Sequence, residues 1–466
     1  MTRRLLSRLA GLAQPVLWRL RRPQGEITLA LRNWTAVAAL AGALLWYLSG
    51  PTAEAAMALA ALASLLAAGL AWAYILARGV TGQRALRYAA MQVGEELEEV
   101  IRLQNASPLP VVWAEVKDDS DLPGYTVSSV RSIDAGGALQ WRAHALCTRR
   151  GHFTLGRWTL RLSDPFGLFL VEQHYREPQT LVVYPPLAAL PRTLLPHTPT
   201  LGEQQLLRQP LPAETVNAIT IRPHVPGDPL RRIHWRTTAR RAAPFTKIFE
   251  PEATHRVWLI ADFDPVVQGG SADDSTEELL VLLAASLAAR LQQQRLAAGL
   301  LAAQGAETVI VPPRPGLAHV WEHLRTLAPL HPAPDTPSLP ELLARAQALV
   351  SARDLVIVLT ASLHPAWPPA LMRTAQRGVR AETILIDPAS FGMAGAAQAF
   401  LPVLAGLGVP ARVVRKGEVK PLSAVYGTLR RWEFMTLGTG RAVAVQTPRA
   451  APSLEAQLAS LQALSR

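Results

Sequence analysis

Residues 221–252, IRPHVPGDPLRRIHWRTTARRAAPFTKIFEPE, separate two parts of the chain that have different sequence patterns. Within them, Pro226 and Gly227 predict a tight turn, because proline fixes φ and glycine accepts turn conformations. Asp228 is a suitable helix N-cap, and Pro229 at the first helical position sacrifices no hydrogen bond, since that N–H has no acceptor within a helix. We therefore expect a short helix to begin at this point.

The predicted helix is basic. Arg232, Arg236 and Arg240 follow one another at four-residue spacing and therefore share one face. The planar guanidinium group of arginine binds carboxylates and phosphates through two hydrogen bonds, so this face suits an acidic partner protein, an anionic lipid or a phosphate. In the alternative interpretation, carboxylates such as Asp228 accept these hydrogen bonds and lock two domains together. We expect Arg231 and Arg240 to have the internal role, and Arg232 and Arg236 to face outward.

Seven residues of this turn and helix resemble the Gly-Asp, Arg, Ile, Trp, Ala-Arg signature of the bacterial domain-of-unknown-function family fifty-eight. The resemblance implies a membrane-anchored protein with a von Willebrand A-like domain, often encoded beside a MoxR-type AAA+ ATPase. That ATPase is then the expected partner, whereas the family has no defined biochemical role. The apolar signature residues offer faces for packing against the rest of the protein. The matching residues are Gly227, Asp228, Arg231, Ile233, Trp235, Ala239 and Arg240.

A second resemblance to the same family lies upstream, in residues 149–169, RRGHFTLGRWTLRLSDPFGLF. These residues are similar to the family's Arg-Gly-x-Tyr/Phe strand followed by Asp-Pro-Phe-Gly-Leu. Asp164, Pro165, Phe166 and Gly167 predict a turn at the end of a strand, because Asp, Pro and Gly favour turn conformations. We expect this turn to be structural, with Phe166 covering the core of a β-sandwich.

Length and composition limit the function classes. The 466 residues indicate two or three domains. A single cysteine, Cys147, excludes an intramolecular disulfide and a cysteine-rich zinc cluster. The net charge of +12 is carried almost entirely by arginine and fits nucleic acid, an anionic membrane surface or an acidic partner. Because the arginines are not interleaved with stacking aromatics, we expect no nucleic-acid partner.

Two apolar stretches near the N-terminus predict a transmembrane helical hairpin over residues 31–77. The stretches, residues 31–48 and 55–76, are separated by a Ser-Gly-Pro-Thr turn, and each approaches the ~20 residues that cross a bilayer if Arg32 extends to the interface. Arginines flank both stretches but are absent from the turn, so residues 1–30 form a basic cytoplasmic N-terminus. We expect a multi-pass protein of the bacterial inner membrane with its soluble domains in the cytoplasm.

The remaining chain changes from a β pattern to an alternating pattern. Residues 92–190 contain β-branched and aromatic runs bounded by Asn, Pro, Gly and Asp, which predicts a small antiparallel β-sandwich. Residues 191–255 form a connector that carries the basic helix. Residues 256–445 alternate apolar runs with helical segments, which predicts a doubly wound α/β domain of the von Willebrand A-like kind. Residues 446–466 form a tail.

The first strand of the predicted α/β domain ends at Asp262 and Asp264, where open sheets of this kind bind ligands. Von Willebrand A domains that hold a divalent ion carry Asp-x-Ser-x-Ser here, and such oxygen ligands suit Mg²⁺. In this chain Asp264 and Val266 replace the two serines. Thr336 matches the threonine of those domains, but Thr360 stands where another aspartate is expected. Asp262, Asp264 and Thr336 are therefore candidate ligands of a degenerate Mg²⁺ site, with a vestigial site as the alternative.

Together these features predict a non-enzymatic, membrane-anchored scaffold that recruits partner proteins. The resemblance implies a MoxR-type AAA+ ATPase as the partner, and the assembly or remodelling of a membrane or secreted complex as the process. No cofactor is expected apart from Mg²⁺ at the degenerate site. One alternative is a divalent-metal-dependent enzyme, or metal-dependent binding, at the Asp262 edge. The other alternative is a nucleic-acid-binding protein.

Overall fold

The architecture is that of a computed structural model, which describes residues 16–22, 25–86, 88, 90–195, 218–225, 233–241, 243–249, 256–352, 354–422, 430–436 and 442–448. Within these ranges the chain divides into two compact units. The first draws on residues 1–189, 324–330 and 420–466, and the second on residues 190–323 and 331–419.

Some predictions fall outside the described residues. The predicted start of the basic helix lies there, with Gly227, Asp228, Arg231 and Arg232. The predicted tail lies there as well, apart from the last residues of a strand that ends at Pro448.

The first unit combines two helices with the strands of two larger sheets and one strand pair. Its elements are β1 (Val16–Arg22), β2 (Gly25–Leu31), α1 (Thr35–Ser49), α2 (Ala53–Gly79), β3 (Val80–Leu86), β4 (Ala90–Gln92), β5 (Glu96–Asn105), β6 (Val111–Asp118), β7 (Ser129–Ile133), β8 (Ala138–Leu146), β9 (Gly151–Ser163) and β10 (Phe169–Tyr184), with β21 (Arg430–Thr436) and β22 (Ala442–Pro448) as the strand pair.

The second unit alternates strands and helices. Its elements are β11 (Ala218–Pro223), α3 (Trp235–Arg241), β12 (Phe245–Phe249), β13 (Arg256–Ala261), β14 (Gly270–Ser271), β15 (Asp274–Ser275), α4 (Thr276–Gln293), β16 (Ala297–Gln304), β17 (Glu307–Arg314), α5 (Leu317–Leu327), α6 (Leu339–Ala346), β18 (Leu355–Thr360), α7 (Trp367–Ala375), β19 (Arg380–Ile386), α8 (Ala397–Gly406) and β20 (Ala411–Val414). The last residues of α5, from Leu324 onward, are assigned to the first unit. Short 3₁₀ turns lie at Arg192–Leu194 and Pro388–Phe391.

Two sheets of the first unit enclose one hydrophobic core. The larger sheet has the order β1-β2-β10-β9-β6-β7, with β4 also paired to β10, and the smaller sheet has the order β3-β5-β8. Side chains alternate between core and solvent along the strands. In β5, for example, Leu97, Ile101 and Leu103 are buried while Arg102 and Gln104 are exposed.

The N-terminal segment differs from its prediction. Residues 1–30 are predicted as a basic segment outside the fold, but Val16–Arg22 and Gly25–Leu31 form two strands of the larger sheet. Ile27 and Leu29 belong to the sandwich core together with Leu31. The strand β2 was not predicted, because its apolar residues lie close in sequence to those of the apolar helix α1 and were assigned to the same stretch.

The predicted hairpin is present as the helix pair α1 and α2, but only one of these helices has the length of a membrane span. With 27 residues, α2 is about 40 Å long, and among the described residues it is the one helix long and apolar enough to cross a membrane. With 15 residues, α1 is about 22 Å long, shorter than a hydrocarbon core of ~30 Å. Two complete spans over residues 31–77, and hence a multi-pass topology, are therefore not supported.

The C-terminal end of α2 is part of the β-sandwich. Ala73, Leu76 and Ala77 are fully buried and belong to the same core as the two sheets. Gly69 lies against the ring of Phe169, where an added Cβ would stand 3.2 Å from two ring carbons. The base of the helix pair is therefore built into the sandwich.

A buried ion network links the two sheets of the sandwich. Arg84 of β3 donates hydrogen bonds to Glu99 of β5 at 2.5 Å and to Asp118 of β6 at 2.7 Å, and no side chain of the three is more than 4% exposed. The hydroxyl of Tyr125 donates to the other oxygen of Glu99. Burial disfavours the charged form of Arg84, but the hydrogen bond and the charge of Glu99 raise its pKa above the usual range.

The second unit is built on a six-stranded sheet with the order β17-β16-β13-β18-β19-β20. All neighbouring strands are parallel except β16 and β17, which pair antiparallel at one edge. Trp258 and Ile260 of β13 pack in one core with α6, α7 and α8, whereas Leu259 between them is buried on the other face and α4 contacts the same strand. Helices thus cover both faces, and the strand order reverses next to β13.

The mixed α/β architecture with several sheets agrees with the prediction. Apolar runs at residues 257–261, 355–359 and 383–386 coincide with β13, β18 and β19, and the predicted helix at 277–290 coincides with α4. The strand β16 was not predicted, because its sequence AAGLLAAQ lacks the β-branched and aromatic residues that are typical of strands.

Candidate functional site

Asp262 lies at the carboxyl edge of the six-stranded sheet, directly after β13, and is fully buried. Its Oδ2 accepts a hydrogen bond from the hydroxyl of Thr360 at 2.6 Å. Its Oδ1 accepts from the backbone N–H of Asp264 at 3.2 Å. Because Thr360 ends β18, the parallel neighbour of β13, strand pairing itself brings the two side chains together.

The environment of Asp262 favours its neutral form. Burial raises the pKa of Asp262 to about 6, because the charged carboxylate is removed from water. Hydrogen bonds from Thr360 and from the N–H of Asp264 oppose this shift, and the negative charge of Asp264 adds to it. The carboxyl group therefore titrates in a mildly acidic range.

Further hydrogen bonds tie the loop after β13 to this edge. The Nε2 of Gln268 donates to the backbone carbonyl of Asp262 at 2.6 Å, and the hydroxyl of Thr276 donates to Oε1 of Gln268 at 2.6 Å. Thr276 is the fully buried first residue of α4, so the loop is fixed to the helix that follows it. Asp264 accepts from the N–H of Val266 at 3.0 Å, a local turn contact that aspartate commonly makes.

The candidate ligands do not fit the predicted Mg²⁺ site. Both carboxylate oxygens of Asp262 accept hydrogen bonds, and Asp264 supports its own turn. The hydroxyl of Thr336 donates to the carbonyl of Ala333 at 2.7 Å and accepts from the N–H of Gly305 at 2.9 Å. In the part of the chain that the structure describes, no three His, Cys, Asp or Glu side chains are grouped to hold a metal ion. We therefore assign no metal-dependent step to this edge.

A second buried aspartate lies at the same edge. Asp387 follows β19, and its Oδ1 accepts from the N–H of Ala397 at 2.9 Å, at the start of α8. Its Oδ2 lies 3.6 Å from Nε of Arg415, which follows β20. The sequence signal for Asp387 is its position directly after an apolar run, the same signal that identified Asp262. Both aspartates hold loops at the carboxyl ends of their strands.

The signature segment is organised around the antiparallel pair β11 and β12. Ile233 is 8% exposed and forms an antiparallel bridge with Thr246 of β12. The helix α3 begins at Trp235, later than predicted, because Ile233 just before it lies in this bridge. The N–H of Phe245 donates to the hydroxyl of Thr238 at 3.0 Å, which ties α3 to β12.

The exposed face of α3 carries an indole and two guanidinium groups. Trp235 is 70% exposed, and Arg236 and Arg240 are exposed at four-residue spacing. The expectation that Trp235 and Ala239 pack against the protein is wrong, whereas Ile233 does pack. Arg240 is exposed, and the carboxylate Asp228 expected to hold it internally lies outside the described residues.

The Asp-Pro-Phe-Gly turn has a structural role. Asp164 is 3% exposed, and its two oxygens accept from the N–H of Phe169 at 2.6 Å and of Phe166 at 3.0 Å. Gly167 has a φ of +67°, which glycine adopts readily, and Pro165 is exposed at the turn. Phe166 does not cover the sandwich core as predicted, since it is 53% exposed; Phe169 is 4% exposed and fills the core instead.

Comparison with known proteins identifies the signature segment. Residues 220–393 match the family model described as "Protein of unknown function DUF58". This range includes the exposed helix α3, the Asp262 edge and most strands of the second unit. This segment of the chain is therefore similar to the DUF58 family.

The relatives are themselves uncharacterized. Over 109 residues the chain is 28% identical to the uncharacterized protein Rv1480 of Mycobacterium tuberculosis (strain ATCC 25618 / H37Rv) and to the uncharacterized protein Mb1516 of Mycobacterium bovis. The match covers 23% of this chain and 34% of each relative, so the chain spans about a third of the length of the curated relatives it matches.

Solved structures resemble only parts of the chain. The CARDB domain of the PF1109 protein from Pyrococcus furiosus is 11% identical over 22% of this chain and 86% of that chain, with a TM-score of 0.17. The sporulation control protein Spo0M from Bacillus subtilis is 10% identical over 22% of this chain and 49% of that chain, with a TM-score of 0.16. Likeness at this level carries no functional argument.

Proposed function

We infer that the chain is a membrane-anchored, non-enzymatic adaptor that recruits a partner protein through its DUF58 segment. The observation that carries this proposal is the exposed indole of Trp235, which is flanked by Arg236 and Arg240 on α3. Tryptophan and arginine are the residues that most often dominate the energy of protein interfaces. A solvent-facing tryptophan inside the family's own signature motif is therefore best explained as part of a docking surface.

Charge defines the expected partner surface. Arg241 follows Arg240 and lies with its guanidinium carbon 5.6 Å from the centre of the Phe245 ring. The face around Trp235 is thus strongly basic, and an acidic surface on the partner would complement it. The family resemblance makes a MoxR-type AAA+ ATPase the candidate, in the assembly or remodelling of a membrane or secreted complex.

Two other features support the proposal. The length and apolar character of α2 support anchoring to a membrane. The doubly wound sheet, with its reversal of strand order beside β13, supports a von Willebrand A-like domain. The hydrogen bonds that occupy Asp262 favour an adaptor over the metal-dependent alternative at that edge.

The test measures binding of the purified full chain, held in detergent micelles, to a purified MoxR-type ATPase with ATP, with ADP and without nucleotide. Trp235→Ala and the double variant Arg236→Glu/Arg240→Glu remove the proposed docking surface. If Trp235 is a dominant interface residue, either change weakens binding roughly 30-fold. Arg373→Glu is the matched control, because Arg373 is exposed on α7 in the same unit.

Wild-type protein that fails to bind the ATPase in every nucleotide state contradicts the proposed partner. Equal binding by wild type, the α3 variants and the control contradicts the proposed surface. A saturable heat on titration with Mg²⁺ that is lost in Asp262→Asn would favour the metal-dependent alternative instead.

A further inference from the structure

A groove of about 630 Å³ crosses the outer face of the larger sheet, on the side away from the sandwich core. It runs over the adjacent strands β2, β10, β9 and β6. Its charged lining residues are Arg32, Glu115, Arg161 and Glu172, and Trp113 forms an aromatic wall. The volume is in the range of sites that hold small ligands.

At one end of the groove, charged side chains of alternating sign lie side by side on three strands. Glu172, Arg161 and Glu115 lie directly opposite one another on β10, β9 and β6. Nε of Arg161 lies 2.8 Å from Oε1 of Glu172, and its Nη1 lies 3.7 Å from Oε2 of Glu115. The three side chains remain between a quarter and a third exposed, so the two carboxylates can accept further hydrogen bonds from a ligand.

The opposite end of the groove carries a single cation, Arg32. Arg32 directly follows β2 and lies three residues before the start of α1, and its guanidinium carbon is 5.2 Å from the centre of the Trp113 ring. Among the described residues no carboxylate pairs with Arg32, which is exposed. Trp113, whose ring the Arg32 guanidinium covers, is two positions from Glu115 on β6, which is about 7 Å along the strand.

The base of the helix pair has the side chains of a membrane interface. Trp34, beside Arg32, is 56% exposed. On α2, the guanidinium carbon of Arg78 lies 4.8 Å from the centre of the Tyr74 ring, and Trp18 of β1 packs edge-on against Tyr74 at 5.6 Å. Tryptophan, tyrosine and arginine collect at the headgroup level of bilayers. With α2 in the membrane, the Arg32 end of the groove faces the headgroups.

We propose that this groove binds the headgroup of a phospholipid with a primary ammonium, of the phosphatidylethanolamine class. The lipid phosphate lies on Arg32, and the ammonium donates to the carboxylate of Glu115, which lies 3.7 Å from Arg161 and is less closely paired than Glu172 at 2.8 Å. Glu172, on the other side of Arg161, adds negative charge to this end of the groove. This inference rests on the membrane anchoring proposed above. The groove has two arginines and two glutamates, so its formal charge matches a zwitterion, whereas a purely anionic headgroup would meet the two carboxylates. A trimethylated ammonium has no N–H to donate to them.

The experiment measures lipid retention by the full chain in native mass spectrometry from detergent. The probes are phosphatidylethanolamine, phosphatidylcholine and phosphatidylglycerol with identical acyl chains. We expect wild type to retain phosphatidylethanolamine about tenfold better than the other two lipids, and Glu115→Gln/Glu172→Gln to lower this ratio to about one. Arg32→Gln weakens retention without disturbing the Glu-Arg-Glu row.

The matched control is Glu26→Gln. Glu26 lies on the same sheet with Arg19 and Arg176 within 3.9 Å of its carboxylate, but it does not line the groove. This variant keeps the wild-type preference. A wild type without preference among the three lipids, or groove variants with the wild-type preference, would overturn the inference.

Flotation with vesicles separates this inference from the proposed anchoring. The full chain is mixed with vesicles of each lipid composition and centrifuged through a density gradient. Flotation with every composition, together with equal lipid retention, overturns the groove site and leaves the anchor intact. Failure to float with any vesicle overturns the anchor and the groove site together.

Discussion

Thr360 donates its hydroxyl hydrogen bond to Oδ2 of Asp262 across 2.6 Å, and both side chains are completely buried. The two residues are 98 positions apart in the chain, yet they lie at the ends of neighbouring parallel strands. The hydroxyl of Thr360 also accepts from the N–H of Ser362 at 2.8 Å. One hydroxyl group therefore joins the loops that follow β13 and β18.

Thr360→Val tests this contact, because valine has nearly the shape of threonine but cannot hydrogen-bond. It leaves a buried carboxyl oxygen and a buried N–H without partners, so we expect the free energy of unfolding to fall by about 2–4 kcal/mol. Urea unfolding of the full chain, followed by tryptophan fluorescence, measures the change. Thr360→Ser keeps the hydroxyl and should lose less than half as much. Equal stabilities of the two variants would contradict the role assigned to the hydrogen bond.

The raised pKa of Asp262 predicts a specific pH dependence of stability. Its pKa is about 6 in the folded state against 3.8 for an unperturbed carboxyl, so the folded state binds the proton more tightly between these values. The contribution to stability is complete below pH ~4, decreases as the pH rises through ~6 and then stays constant, a loss of about 3 kcal/mol. Asp262→Asn cannot titrate. The difference in unfolding free energy between wild type and this variant should therefore change across that window, and a constant difference would contradict the prediction.

Asp164 should contribute to the stability of the β-sandwich. Its carboxylate accepts from the N–H groups of Phe166 and Phe169, and Phe169 packs against Gly69 of α2. We expect Asp164→Ala to lower the unfolding free energy by about 3 kcal/mol, since two backbone donors lose their acceptor. Asp164→Asn retains one acceptor oxygen and serves as the control. Equal unfolding free energies of Asp164→Ala and Asp164→Asn would contradict this role of the carboxylate.

Arg84 should be essential for the stability of the β-sandwich, because its removal leaves two carboxylates buried without a counter-charge. Arg84→Met keeps much of the side-chain volume but removes the charge, and we expect a loss of about 3–5 kcal/mol. Tyr125→Phe deletes only the hydrogen bond to Glu99 and should cost about 1–2 kcal/mol. Urea unfolding of both variants gives the comparison. If the two losses were the same, the charge of Arg84 would not be the important property.

Cys147 should be chemically protected in the folded protein. Burial raises the pKa of its thiol to about 12, and the negative charge of Glu95 adds to the shift. We expect negligible labelling by maleimide at pH 8 until urea unfolds the sandwich. The control is Leu146→Cys in a Cys147→Ser background, because Leu146 is 44% exposed and should label quickly. Rapid labelling of native Cys147 would show that this part of the sandwich opens readily.

Several parts of the fold could be predicted because local pattern and burial agree. All six residues of Leu355–Thr360 are buried, and the sequence shows the continuous apolar run that such a strand requires. The position of Asp262 after an apolar run likewise predicted its place at the sheet edge. Its partner Thr360 was counted as a missing ligand, because only strand pairing shows that its hydroxyl reaches Asp262.

Side-chain direction could not be predicted in the same way. Phe166 lies in the turn and Phe169 begins β10, and Asp164 accepts hydrogen bonds from the N–H groups of both; Phe169 enters the core, whereas Phe166 is exposed. Trp235 was expected to pack against the rest of the protein as one of the apolar signature residues. Its exposure depends on where α3 begins, and this start is set by the bridge between Ile233 and Thr246.

The way α2 ends has a practical consequence for attempts to obtain the protein without its long apolar helix. Since Ala73, Leu76 and Ala77 fill the sandwich core and β1 to β3 come from the same region, a fragment that starts after residue 93 would lose one wall of that core. The helix α2 therefore cannot be removed without loss of core residues. With α2 in a bilayer, as proposed above, a tilt of this helix would also turn the sandwich that shares its core.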